Sequence, residues 1–223
     1  MIKVEPFLTP PVNEKEILRY AKAKPGEDAT EALMAECLNE MKDGFCYRVC
    51  STRLPVERNG ETIGFAGMQI PSKTLATALA DCEELLLFAA TVGVQIDRAV
   101  TRYSRVSPAK ALMLQAFGAE RIESLCETFI AKKEEELRGE HLFLKPRVSP
   151  GYGDIPLTLQ KEIFALLDCP RKIGLTLHDS LLMTPTKSVT AIAGITRCRV
   201  SEKTACEECG KTDCDFKREG EPV

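Results

Sequence analysis

Tryptophan is absent from the 223 residues, and histidine occurs only twice. With His141 and His178 alone, a histidine acid–base site or a Ser–His–Asp triad has few positions to draw on. Neither sign of charge dominates: 30 Lys and Arg stand against 33 Asp and Glu, a net charge of -3. The clustered cations that bind nucleic-acid phosphates are therefore missing. No apolar run approaches the roughly 20 residues a membrane helix needs. The longest, Leu85 to Val94, has the length of a strand. The first residues lack the charged, apolar and small-residue succession of a signal peptide. These absences lead to the expectation of a cytoplasmic protein with no nucleic-acid or membrane partner.

Cysteine, by contrast, is plentiful, with ten residues. Disulfides are rare in the cytosol, so another use is needed. Cys37, Cys82, Cys126 and Cys169 lie in apolar surroundings and read as small buried residues. Cys198, Cys206, Cys209 and Cys214 follow the spacing C-x7-C-x2-C-x4-C in a polar segment. Four thiolates at such spacing suit tetrahedral zinc or an iron–sulfur cluster, and the ligand type does not separate the two. The competing reading is a reduced thiol tail with too little apolar content to fold alone.

The composition shifts near Ser201. The pattern predicts a body over 1–200, with a helical and hairpin portion over about 1–70, and a cysteine-rich tail over 201–223. Asn13 with Glu16 and Asp28 with Glu31 open two helices, the second ended by Gly44. Asn59-Gly60 signals a two-residue hairpin within a β-like stretch from Phe45 to Ile70. Ser72 caps a helix to about Ala80, and the apolar run from Glu84 to Gly93 is too short and too β-bounded for a long helix; the family resemblance given below implies that it is a central strand. Helices follow over Gln95 to Tyr103, from Ser107-Pro108 through the long stretch ending near Glu136, and over Thr158 to Leu167. Gly174 to Met183 and Ser188 to Arg199 read as strands. In the last, Val189, Ala191, Ala193 and Ile195 alternate with Thr190, Ile192 and Gly194 across the two faces.

The stretch from Lys145 to Pro156 holds three prolines, two glycines, one arginine and one tyrosine. Proline fixes φ and removes donors, while glycine opens backbone conformations closed to other residues, so a rigid, sharply bent loop is expected. Arg147 could grip a carboxylate in bidentate fashion, and Tyr152 could offer a flat face. Taken alone, the stretch is also compatible with a proline-rich connector.

Arg147-Val148-Ser149-Pro150-Gly151-Tyr152-Gly153-Asp154-Ile155-Pro156 resembles the RxxxGY loop of the cobalamin-dependent methionine synthase activation domain family. Leu175-Thr176 and Met183 to Thr190 resemble its LT…MxPxxSVS segment. Leu87 to Gly93 and Ala119 to Glu123 resemble its stand-alone members. The resemblance implies an α+β fold with a mixed or antiparallel sheet and flanking helices. It also implies an S-adenosylmethionine site, with Arg147 on the ligand carboxylate, the Ser149 backbone and Gly151 in the loop, Glu123 on the cationic end, and Tyr152 near a corrin ring. Two departures stand out. Ile192 and Ala193 replace a bulky aromatic pair that includes a ligand-contacting tyrosine, and the family's N-terminal acidic contact has no matching position.

The implied task is accessory to a methyltransferase. The protein would bind S-adenosylmethionine and dock on a corrinoid protein, or on a methionine synthase lacking its own activation domain. Reductive methylation of the inactive Co(II) state would then proceed on the partner's cobalamin. A flavodoxin or ferredoxin, or an iron–sulfur cluster in the tail itself, would supply the electron. The rival expectation is a metal-binding adaptor or electron-transfer protein on the same fold without methyl-donor binding.

Overall fold

A computed structural model describes residues 1–198. In chain order the elements are β1 (Lys3–Pro6), α1 (Glu14–Ala21), α2 (Asp28–Glu40), β2 (Arg48–Pro55), β3 (Glu57–Asn59), β4 (Thr62–Phe65) and β5 (Met68–Pro71). They continue with α3 (Lys73–Ala78), β6 (Cys82–Thr91), α4 (Gln95–Tyr103), α5 (Pro108–Arg138), β7 (Phe143–Leu144), α6 (Leu159–Leu167), α7 (Cys169–Ile173), β8 (Thr176–Leu177), β9 (Met183–Thr184) and β10 (Ser188–Thr196).

Five strands form one antiparallel sheet in the order β1-β2-β6-β10-β7. Its centre is the apolar run of β6. Leu86, Phe88 and Ala90 project to one face, where they meet α1, α2, α4 and α5. Leu85, Leu87 and Ala89 project to the other, against the β3-β4-β5 sheet, α3, α6 and α7. Period-2 projection with helices on both sides explains why this strand is continuously apolar rather than alternating. β10 divides as its sequence predicts, with Ala191, Ala193 and Ile195 toward α5 and Ile192 toward the opposite layer.

The expected strand over Gly174 to Met183 is corrected. Only Thr176–Leu177 and Met183–Thr184 pair, as a short two-stranded ribbon. Between them His178 to Leu182 form a turn, with the His178 amide donating to the Leu182 carbonyl and Leu181 at φ 64°. Leu182 is 68% exposed, so no layer covers this stretch and its apolar residues cannot act as a strand core. The second helix also ends earlier than its glycine suggested, at Glu40, with Met41 as its cap.

α5 runs unbroken for 31 residues. Its middle is held to the N-terminal segment by a buried ionic network. Arg121 is fully buried and Glu120 is 2% exposed. The Arg121 guanidinium donates to Glu120 and to the carbonyls of Pro10, at 2.6 Å, and Pro11, at 2.7 Å. Glu120 Oε1 accepts from the Asn13 amide at 3.0 Å and the Ser124 hydroxyl at 2.7 Å. Each charge thus has several partners, which a buried ion pair requires. Nothing local in the sequence signals it, because the acceptors lie more than 100 residues away.

Candidate functional site

The Lys145 to Pro156 loop is anchored at both ends. On one side the Lys145 amide donates to the Gly194 carbonyl, and Val148 and Ile192 form a two-way antiparallel bridge. On the other, the Asp154 carboxylate accepts from the Ser72 hydroxyl at 2.6 Å and from the amides of Lys73 at 2.8 Å and Thr74 at 3.0 Å. Asp154 therefore ties the loop to the start of α3, while Ser72 makes the local cap that its sequence position predicts.

The turn between the anchors is tight. The Tyr152 amide donates to the Ser149 carbonyl and the Ile155 amide to the Tyr152 carbonyl, while Gly151 donates to Ile155. Gly153 sits at φ +58°, and a Cβ there would lie 2.3 Å from Thr74 Oγ1. Gly153→Ala is therefore expected to strain the loop and weaken folding by about 1–3 kcal/mol, read by chemical denaturation.

The hydrogen bonds from Ser72 and Thr74 hold the Asp154 carboxyl well below the usual aspartate range. A depressed folded pKa contributes stability that is complete above the ordinary value of 3.8 and is lost as pH falls below it. Asp154→Asn should lower hydrogen-exchange protection at Lys73 and Thr74 near neutral pH and flatten the acid dependence of that protection.

The loop delivers Arg147 onto α5, where its guanidinium forms an ion pair with the Glu123 carboxylate. The two side chains are 27% and 30% exposed, so the pair opens to solvent. Glu127, one turn along the helix, adds negative charge to the surroundings of Arg147. Cys126 lies beneath, and burial pushes its thiol up to about 12, so it stays protonated and inert. Ser149 and Gly151 belong to the turn, and Tyr152 projects from it with 59% of its surface exposed.

Two neighbours were not anticipated from the sequence. Tyr20, from α1, carries the Arg19 guanidinium 4.4 Å from its ring centroid. Its hydroxyl is shifted upward by burial and by the Glu123 carboxylate. Between Pro10–Lys15 and Ser124, Glu127 and Thr128 lies an open depression of about 720 Å³. Glu127 belongs both to this depression and to the charge environment of Arg147. Ile192 and Ala193, by contrast, are fully buried in the sheet and pack into its two opposite layers.

Among the described residues no group of three or more His, Cys, Asp or Glu is arranged to hold a metal. Cys198 is exposed just beyond β10. Cys206, Cys209 and Cys214 lie outside the described residues. No helix among the described residues is long and apolar enough to cross a membrane.

The five-stranded antiparallel sheet, covered on both faces, thus holds a clamped loop against the long helix α5. The family model described as the activation domain of vitamin B12-dependent methionine synthase matches residues 75–200, and the chain belongs to that family. The structure is similar to that of the MetH reactivation domain bound to AdoHcy, with a TM-score of 0.63 and 14% identity, covering 90% of this chain and 80% of that one. At that identity the likeness establishes the fold. No curated protein matches the sequence.

Proposed function

We propose that this protein binds S-adenosylmethionine across the Arg147–Glu123 pair and serves as a reactivation module for a cobalamin-dependent methionine synthase or a related corrinoid methyltransferase. The observation that carries the reading is the ion pair itself. A guanidinium and a carboxylate, both partly open to solvent, are held side by side on a rigid loop and a long helix. Each complements one end of a zwitterion: the guanidinium takes the ligand carboxylate, and Glu123 takes its ammonium or sulfonium. The similar fold seen with AdoHcy, the demethylated form of the same ligand, supports the assignment.

S-adenosylmethionine would supply the methyl group, and the partner's cobalamin would receive it. This chain's own residues would bind and orient. The turn through Ser149 and Gly151 is already formed, so little ordering is needed on binding. Tyr152 is the exposed ring on that turn and would meet the corrin face of the partner. Tyr20 would supply an aromatic wall beside Glu123, taking the place left by the buried Ile192 and Ala193. The partner would be a corrinoid protein or a synthase without its own activation domain, with a flavodoxin or ferredoxin as electron donor.

Calorimetric titration of S-adenosylmethionine and AdoHcy into the protein tests the reading. One site per chain in the wild type, and none in Arg147→Ala, is the expected result. A wild type that binds neither ligand rejects it. The reading that would then remain is a metal-binding adaptor or electron-transfer protein on the same fold, favoured by the exposed position of Cys198 at the end of β10.

A further inference from the structure

Two cysteines from distant parts of the chain meet on one face of the sheet. Cys50 lies mid-strand in β2, and Cys169 is the first residue of α7. α7 packs on β2, and both side chains are 0% exposed within the layer that also holds α3 and α6. Their thiols hydrogen-bond to one another. Cys37 and Cys126, also buried, belong to the opposite face. The groups acting on those two are Lys, Arg and Glu side chains, not a second thiol.

The bond makes the two thiols unequal. Together with the Ala89 backbone and the Lys172 cation, it draws the Cys50 thiol below the ordinary cysteine value, against the opposing effect of burial. The same bond, reinforced by burial, pushes the Cys169 thiol up, so the proton of the pair stays there. A thiolate beside a protonated thiol is the arrangement of an attacking and a resolving cysteine. The cover over the pair is slight. α7 is a helix of five residues, with Asp168 at φ 48° before it and Gly174 at φ 70° after it. Pro170, Arg171 and Lys172 form its exposed side. So short a helix has little stability of its own and opens locally at less than the cost of unfolding the sheet.

We infer that Cys50 and Cys169 form a redox-active dithiol, oxidised reversibly to a disulfide by hydroperoxides. The Cys50 sulfur attacks one peroxide oxygen, so that an S–O bond forms and the O–O bond breaks. The hydroxide released takes up the proton that Cys50 gave up and leaves as water. The Cys169 sulfur then attacks the Cys50 sulfur. The S–S bond forms, the S–O bond breaks, and the Cys169 proton departs with the hydroxide as a second water. The two thiols together lose an electron pair, and the peroxide gains it. A small-molecule thiol reverses the reaction by exchange, becoming the disulfide itself. The oxidised form ties α7 to β2. Nothing in this inference depends on S-adenosylmethionine.

Hydrogen peroxide added to the folded, fully reduced chain tests it, followed by alkylation and peptide mass spectrometry without reductant. The expected product is a pair of peptides joined through Cys50 and Cys169, lighter by the two thiol hydrogens. Dithiothreitol should restore both thiols. Cys126, also fully buried but protonated and without a thiol partner, should stay reduced and serve as the internal control. The two single variants should differ under peroxide. Cys169→Ser should hold Cys50 as a sulfenic acid that dimedone labels, while Cys50→Ser should leave Cys169 an unmodified thiol. The wild-type result needs no variant, so a variant that fails to fold leaves the test standing. Three results would each overturn the inference: no joined peptide from the folded chain, a joined peptide that forms as readily in urea, or dimedone labelling of Cys169 in Cys50→Ser.

Discussion

Arg147→Ala is expected to abolish detectable S-adenosylmethionine binding while leaving the protein folded. A bidentate guanidinium–carboxylate contact supplies two charge-assisted hydrogen bonds, each about 1.5 kcal/mol net, so losing both weakens binding by on the order of 100-fold. The cost to folding is much smaller. The Arg147–Glu123 pair is 27% and 30% exposed, and exposed pairs contribute about 0–1 kcal/mol. Calorimetry for the ligand and denaturant unfolding for stability should therefore separate cleanly. Comparable losses in both would mean that Arg147 holds the loop rather than the ligand. Glu123→Gln keeps the shape and an acceptor oxygen but removes the charge. Its expected effect is smaller, about tenfold in affinity.

The largest stability effect is expected from Arg121→Ala. This guanidinium is fully buried and bonded to Glu120 and to two proline carbonyls. Its removal strands a buried carboxylate and leaves the carbonyls of Pro10, buried, and Pro11, part-buried, without this donor, a loss of about 3–5 kcal/mol. Against the roughly 5–15 kcal/mol by which domains are stable, that is a large fraction. The double variant Glu120→Gln with Arg121→Met should recover part of the loss, because the uncompensated charge is gone. Denaturant unfolding of the three variants checks both statements, and an Arg121→Ala protein as stable as wild type would contradict them. The Pro10–Lys15 wall of the depression hangs on these bonds, so it should loosen together with the helix contact.

What the sequence made legible follows from how far each signal reaches. The apolar run of β6 marked a buried segment, and the resemblance made it a central strand; the two faces of β10 were readable from the period-2 alternation of its side chains. Capping residues placed α1 and α3, where Asn13 accepts from Glu16 and Ser72 from Leu75. The Gly174 to Met183 stretch was misread because its leucines alternate like a strand while no layer covers Leu182. Arg147 was legible as a carboxylate grip at the entrance of its loop, but Glu123 was named only through a family resemblance; no local pattern joins residues 24 positions apart. The Asp154 anchor, the Tyr20 wall and the Glu120–Arg121 network were invisible for the same reason. Each is created by tertiary contact between segments that carry no mark of one another.

The bridge between Val148 and Ile192 has a consequence for how the protein is made. The Lys145 to Pro156 loop takes its shape from a strand that follows it by roughly forty residues, and β10 also pairs with β6 about a hundred residues back. Such non-local pairings form slowly, since loop closure must precede any gain from contact. On the ribosome the long helix can form first, but the loop beside it has no template until β10 has emerged. Nascent chains cut short before Ser188 should retain helix yet bind no ligand, so competence to bind would appear only once β10 has emerged.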